Sequence, residues 1–204
     1  MPSKGEQTRE KILEIAEGLI LQKGFAGTSI DDILRETGIT KGGFFYHFNG
    51  KNDLARHLLL RYLENDQRFF NALFERAQTL SEDPLQQMLI FLKLLAEEMA
   101  NLPDTHPGCL VASFAYESQQ VDATVRELNR RGLQSWRETF QTQLDLVAAR
   151  YPARTEVSAV ELADMLSAII EGGIVLSKVY ADQAILVQQL LHYRTYIRFL
   201  FDRV

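Results

Sequence analysis

The chain has 204 residues, of which 46% are hydrophobic, and a formal net charge of −5 at pH 7. This length and hydrophobic content suit one large domain or two small ones with a real core. No apolar run approaches the roughly 18–20 residues of a membrane span, and the N-terminus lacks the apolar region of a signal peptide. A single cysteine excludes an internal disulfide, and alternating Val/Thr runs are nearly absent. We therefore expect an all-α, soluble, cytoplasmic protein.

Charge is distributed unevenly along the chain. Residues 1–62 carry nine Lys/Arg and eight Asp/Glu, whereas residues 63–204 carry thirteen and nineteen. This asymmetry agrees with nucleic-acid contact at the N-terminal end. Phosphate contacts from Lys41, Lys51 and backbone amides would have to supply the affinity.

The first predicted helix covers residues 7–23, and Gly24 ends it. Its apolar residues follow the i, i+3, i+4, i+7 pattern of an amphipathic helix. They are Ile12, Ile15, Ala16 and Leu19.

Two short helices around a tight turn are predicted within residues 28–51. Ser29 followed three residues later by Asp32 has the form of a capping box, in which hydroxyl and carboxylate satisfy the first backbone amides. Gly38 supplies the left-handed residue that closes this helix. Thr40 then caps the second helix.

The second of these helices has an apolar back and a polar front. Phe44 and Phe48 are four residues apart, so they share the face that anchors the helix. Gly42 and Gly43 each cost roughly 1 kcal/mol inside a helix, which suggests that another surface approaches closely. The two short helices and the turn between them form a helix-turn-helix. An ordinary hairpin with a solvated second helix is the alternative.

The flanking residues resemble those of the TetR family of transcriptional regulators. The resemblance is carried by TREKILEIAEGLILQKGFAGTSI and ITKGGFFYHFNGKNDL, and it is dense over about residues 6–62. It implies a DNA-binding domain over 6–66, with the helix-turn-helix at about 29–48. It also implies an effector-binding and dimerisation domain over 67–204, about nine helices in all, and a homodimer formed through the last two helices.

The resemblance and the exposed front of the second helix together give a set of expected DNA contacts. They are Thr28, Ser29, Thr40, Lys41, Gly42, Gly43, Tyr46, His47 and Lys51. The family commonly has a tyrosine at the position of Phe45, with its hydroxyl on a phosphate, so this chain lacks that contact. Asp31 and Asp32 are assigned to helix capping rather than to contact.

The rest of the chain is predicted to be helical with short breaks. The clearest break is the loop LPDTHPG at 102–108. The predicted helices are 51–78, 84–101, one beginning near 109, one ending near 150 that includes Val125 and Trp136, 156–180 and 183–203.

The last two helices carry the features expected of a dimer interface. A heptad-like seam runs along the final helix through Leu186, Leu190, Tyr193, Ile197 and Leu200. Gly172 and Gly173 lie mid-helix and need another backbone packed closely. The seam either completes a monomeric core or joins two copies. A dimer is favoured, because it places two short recognition helices roughly 34–36 Å apart in successive major grooves.

Apolar and flexible side chains of the second domain are candidates for an effector pocket between helices, or are plain core, and Glu117 is a candidate polar group that would orient the ligand. The candidates are Cys109, Phe114, Glu117, Trp136, Phe140, Met165 and Ile169. Cys109 also follows His106-Pro107-Gly108 near a helix start, where a thiolate is favoured. This leaves open a thiol-based sensor of electrophiles or oxidants, against a buried packing residue.

The sequence has no nucleotide-binding glycine loop, HExxH motif or nucleophile elbow, and its four histidines are scattered. We therefore expect no enzyme activity, no cofactor and no metal site. The resemblance to the TetR family implies a ligand-responsive repressor that a small-molecule effector releases from a palindromic double-stranded operator. A helical interaction module without DNA binding is the remaining alternative.

Overall fold

The computed structural model describes residues 3–201, and over that range it contains helices and no strands. The helices are α1 Lys4–Lys23, α2 Ile30–Thr37, α3 Lys41–His47, α4 Lys51–Leu80, α5 Pro84–Ala100, α6 Leu110–Tyr116, α7 Ala123–Arg150, α8 Ala159–Tyr180 and α9 Ala184–Phe201. This confirms the all-α fold with about nine helices. None of the described helices is long and apolar enough to cross a membrane.

Helix ends follow local capping chemistry. α1 begins at Lys4, three residues before the predicted start, because Ser3 and Glu6 form a capping box. The Glu6 N–H donates to the Ser3 hydroxyl (3.2 Å), and the Ser3 N–H donates to the Glu6 carboxylate (2.6 Å). The predicted end of the last helix at 203 lies outside the described residues.

The described residues form two compact units. We call residues 3–65 with 109–132 the head unit, and residues 66–108 with 133–201 the body unit. The chain first passes from the head unit to the body unit after residue 65, one residue before the predicted boundary at 66. The segment 109–132, which was assigned from sequence to the C-terminal domain, packs with the head unit. The division into DNA-binding and effector-binding roles stays a prediction.

The head unit buries one face of each of its helices. Its fully buried apolar side chains include Ile12, Leu13, Ala16, Ile20, Ile33, Phe44, Phe48, Leu54 and Leu58. In α1 the buried face differs from the predicted one: Leu13 and Ile20 are buried, whereas Ile15 and Leu19 are half-buried. Periodicity alone did not select the face, because most positions from Ile12 to Leu21 are apolar.

The body unit has an aromatic centre. Phe74 and Phe91 stack with ring centroids 3.8 Å apart, and Phe70 meets Phe140 edge to face at 5.1 Å. Such contacts between aromatic rings add to the energy gained from burying their area.

The seam predicted along the last helix is part of the protomer's own core. α9 packs against α5 and α8. Leu186, Leu190, Tyr193, Ile197 and Leu200 are all buried. A Cβ at Gly173 would lie 3.2 Å from the Cα of Leu186, so the close backbone expected at this glycine is present. Gly172 instead points into open space. Of the two interpretations of the seam, completion of the core is the one that the structure supports.

Candidate nucleic-acid interface

The first helix of the helix-turn-helix is fixed at both ends. At its start, the Asp32 N–H donates to the Ser29 hydroxyl and the Ser29 N–H donates to the Asp32 carboxylate, each at 3.0 Å. At its end, Gly38 is left-handed with φ 71°. The predicted capping box and glycine cap are therefore confirmed.

Asp32 is neutralised within the head unit. Its carboxylate pairs with Lys23 at 2.9 Å and with Arg35 at 2.6 Å. The hydrogen bond from Lys23, followed by those from Ser29 and Arg35, lowers the pKa of Asp32 far below its usual range. This carboxylate serves the helix end, as expected, and its charge is compensated close to the proposed groove.

α3 is anchored from behind and open in front. Thr40 caps it by accepting a hydrogen bond from the Gly43 N–H at 3.1 Å. Phe44 and Phe48 are buried, with ring centroids 5.6 Å apart. Tyr46 is 82% exposed and Phe45 is 44% exposed. The helix therefore presents a mixed polar and aromatic surface on a rigid base.

The expected DNA contacts fall into two groups. One group lies along α3 and its cap: Thr40, Lys41, Gly42, Gly43, Tyr46 and His47. Within it, a Cβ at Gly42 would meet nothing within 4 Å, and the His47 ring lies edge-on to Tyr46 with centroids 4.9 Å apart. These six residues lie along α3 and at its cap, and we call them the α3 surface.

The second group of expected contacts is engaged within the head unit. The Thr28 side chain is fully buried, and its hydroxyl donates to the Gly24 carbonyl at 2.8 Å. The Lys51 ammonium donates to the Phe25 carbonyl and lies 4.2 Å from the centroid of the Phe25 ring. Burial lowers the pKa of Lys51. With Ser29 in its capping box, all three side chains hold the start of α2 or the loop before it.

The comparison with known proteins decides the family. Residues 12–58 match the profile of bacterial regulatory proteins, tetR family. Residues 84–189, just over half of the chain, match the profile of the transcriptional regulator LmrA/YxaF-like C-terminal domain. The chain belongs to the TetR family of transcriptional regulators.

Relatives within the TetR family match over most of their length. The uncharacterized HTH-type transcriptional regulator YxaF of Bacillus subtilis is 28% identical over 184 residues, which are 90% of this chain and 91% of that protein. The HTH-type transcriptional regulator LmrA of Bacillus subtilis is 29% identical over 83% of this chain and 86% of its own. A TetR transcriptional regulator structure from Chloroflexus aurantiacus is 30% identical, with a TM-score of 0.78 over 97% of this chain and 98% of that chain.

Family membership fixes the general activity. TetR-family proteins are DNA-binding transcriptional regulators rather than enzymes. The predicted class of function is thereby confirmed, and the α3 surface is the part of this chain that resembles the family's recognition helix.

The candidate effector residues are divided between the two units. Cys109, Phe114 and Glu117 lie in the head unit, and Trp136, Phe140, Met165 and Ile169 lie in the body unit. Phe114 is buried edge-on against Phe25 at 5.4 Å. The Glu117 carboxylate accepts hydrogen bonds from two backbone amides of the loop between α1 and α2. Phe114 and Glu117 therefore have structural contacts inside the head unit.

Cys109 is buried at the start of α6, where its sulfur accepts a contact from the Ala112 N–H at 3.5 Å. His106 lies three residues before it and is the histidine that could activate the thiol. Its Nδ1 accepts a hydrogen bond from the Gly108 N–H at 3.2 Å, and burial lowers its pKa. This arrangement fits the packing interpretation of the cysteine, and nothing specific favours the thiol-sensor alternative.

Among the body-unit candidates, Trp136 differs from the rest. Phe140 is core, Ile169 is half-buried and Met165 is 40% exposed. The Trp136 ring is half-buried, and its indole Nε1 is buried without a hydrogen-bond partner in the described residues. Buried polar groups usually have partners, so this N–H is unusual among the candidate residues. No group of His, Cys, Asp and Glu within residues 3–201 is arranged to hold a metal ion.

Proposed function

We propose that the protein is a dimeric repressor that reads its operator through the α3 surface and is released by a small-molecule effector. The observation that carries the proposal is α3 itself. Its back is locked by Phe44 and Phe48, while an exposed tyrosine, an exposed lysine and a bare glycine form its front. A well-anchored helix with an open glycine allows backbone and side chains to approach base edges in the major groove. Because its proposed ligand is operator DNA, we propose a cytoplasmic location.

The exposed apolar side chains of α8 and α9 support the dimer. They are Met165, Val175, Leu176, Val179, Tyr180 and Phe199. Gly172 lies exposed on the same helix as the first five, and its open Cβ position lets a second helix approach. TetR-family regulators usually dimerise. A two-fold dimer accounts for these apolar residues and doubles the contacts that one short helix can make.

The DNA-reading role is tested with operators selected from random duplexes and measured by fluorescence anisotropy at several salt concentrations. Lys41→Ala should weaken binding by a similar factor on every sequence and reduce the salt slope by about 1, because it removes a phosphate contact. Tyr46→Ala should change sequence preference instead. Lys93→Ala, which alters an exposed lysine of α5, is the control. If wild-type protein selects no sequence, the interaction-module alternative gains support.

The effector role centres on Trp136. Its ring lies edge-on to Phe70 with centroids 6.4 Å apart, so an aromatic wall flanks the unpartnered indole N–H. Sites for small molecules are mostly apolar with a few polar groups that fix orientation. A thermal-shift screen of metabolites should find stabilising compounds, and Trp136→Phe should reduce the shift because it keeps a ring but removes the donor. An equal shift in both proteins would place the effector elsewhere.

A further inference from the structure

The loop between α1 and α2, residues 24–29, is held by a residue from far along the chain. Glu117 lies directly after α6, and its carboxylate accepts hydrogen bonds from the N–H groups of Phe25 (2.8 Å) and Ala26 (2.6 Å). These residues are separated in sequence by 92 and 91 positions. Hydrogen bonds to an ionised carboxylate are shorter and stronger than neutral ones. One side chain thus fixes two consecutive amides of the loop.

The loop is shaped around this carboxylate. Gly24 has φ 81°, and a Cβ there would lie 2.5 Å from Oε1 of Glu117. A side chain at position 24 and the carboxylate of Glu117 are therefore mutually exclusive in this conformation. The glycine serves both the left-handed backbone and the closeness of the carboxylate.

Phe25 is contacted from two further sides. Its ring meets Phe114 of α6 edge to face at 5.4 Å, and the Lys51 ammonium of α4 lies 4.2 Å from the ring centroid. The same ammonium donates a hydrogen bond to the Phe25 carbonyl. Residue 25 therefore has its N–H, its carbonyl and its ring all engaged, with Glu117 on the N–H and Phe114 of α6 against the ring.

What the loop fixes is the start of the helix-turn-helix. The Thr28 N–H donates to the Phe25 carbonyl at 3.2 Å, and the Thr28 hydroxyl donates to the Gly24 carbonyl. Ser29 follows at once as the cap of α2. A second link joins the same distant segment to α4, where the Asp122 N–H donates to Asn52 at 3.2 Å. The segment 109–132 thus touches both sides of the DNA-reading helices without belonging to them in sequence.

We propose that Glu117 is a positioning residue for operator binding. It touches no DNA; it holds residues 24–26 and thereby the direction in which α2 and α3 leave α1. Removing the carboxylate frees the loop and lowers operator affinity while every residue of the α3 surface stays unchanged. The inference rests on the proposed DNA-reading function.

The test uses the full chain with Glu117→Ala and Glu117→Gln. The matched control is Glu127→Gln, which lies in the same segment and pairs with Arg130 and Arg131 on the surface. Amide hydrogen exchange at Phe25 and Ala26, operator affinity and thermal unfolding are measured together. Affinity is measured at a temperature at which all variants are folded, so that loss of stability alone does not change it.

Glu117→Ala should speed exchange of the two loop amides by about tenfold or more, the size of one lost charged hydrogen bond. Amides in the body unit should exchange as before. Operator affinity should fall by a similar factor, with an unchanged salt slope because no phosphate contact is lost. Glu117→Gln keeps one acceptor oxygen and should lie between wild type and alanine, and Glu127→Gln should match wild type.

Two results would overturn the inference. One is a Glu117→Ala protein whose loop amides exchange as slowly as those of the wild type. The other is faster exchange with wild-type operator affinity, which would make the contact local to the loop. A wild-type protein that binds no operator would overturn the proposed function and this inference with it, and the wild-type measurement identifies that case by itself.

Discussion

Phe45 is an exposed aromatic side chain on a helix that otherwise presents polar groups. Its ring packs edge-on against buried Phe44 with centroids 5.4 Å apart, so its direction is fixed. The resemblance to the TetR family puts a tyrosine hydroxyl at this position, directed to a DNA phosphate. In this chain position 45 has the aromatic ring but lacks the hydroxyl that would donate to the phosphate. Adding that hydroxyl should therefore add a DNA contact.

Phe45→Tyr should tighten operator binding. A hydrogen bond to a charged group is worth about 1.5 kcal/mol or more, which corresponds to roughly tenfold in affinity. A neutral hydroxyl releases no counterion, so the salt slope should stay constant while affinity rises. Anisotropy titrations at four salt concentrations measure both quantities. Unchanged or weaker binding would show that the ring does not face the phosphate backbone.

At the scale of helices, local rules predicted both ends of α2 and did not predict the long-range contacts. The capping box of Ser29 and the left-handed Gly38 depend on neighbours within a few residues, so their patterns are visible in the sequence. The seam along α9 was visible too. Its apolar spacing shows which residues are buried, however, and does not show whether α5 and α8 or a second copy covers them.

Other contacts had no sequence signal. Nothing in the sequence links Glu117 to the amides of Phe25 and Ala26, because a carboxylate can accept from any amide that the fold brings near. Lys51 was assigned to DNA from its charge and position. In the structure its ammonium donates to the Phe25 carbonyl. This contact depends on the distance between α4 and the loop of residues 24–29, which the sequence does not give.

The glycines of α3 give a prediction at this scale. Gly42→Ala should raise the melting temperature, because alanine is about 1 kcal/mol better in a helix and the Cβ meets nothing within 4 Å. The same methyl group should weaken operator binding, since it enters the space that DNA would occupy. Calorimetry should therefore show a higher melting temperature, and anisotropy on the same sample should show a lower operator affinity.

Gly18→Ala is the matched control for this experiment. Gly18 is an exposed glycine in α1, also with nothing within 4 Å of its Cβ position. Its substitution should stabilise the protein similarly and leave operator affinity unchanged. If both alanines weakened DNA binding alike, the bare face of α3 would have no special part in recognition.

For the whole molecule, the exposed apolar side chains of α8 and α9 determine the expected assembly. Val179 is 72% exposed and Tyr180 is 68% exposed, and large apolar groups clustered in this way mark interaction sites. Since the heptad-like seam of α9 is used inside the protomer, the second copy would have to meet the opposite faces of these helices.

Val179→Asp should convert the dimer to a monomer, because it buries an unpaired charge at the proposed interface. Operator affinity should fall by about tenfold or more, since one short helix replaces two. Analytical ultracentrifugation measures the mass. Leu146→Asp, which places the same charge at an exposed apolar position of α7, should leave the dimer intact. A dimer that survives Val179→Asp would move the interface away from the end of α8.

Residues 109–132 pack with the N-terminal residues in the head unit, and this affects how DNA-binding domains can be exchanged between such regulators. A chimera cut at residue 66 would carry α2 and α3 into a new protein and leave behind Glu117, whose carboxylate holds the loop before α2. The recipient would have to offer a glutamate at the same place after its own α6. The head unit consists of two separate stretches of the sequence. A transferable head unit should therefore contain both residues 3–65 and residues 109–132.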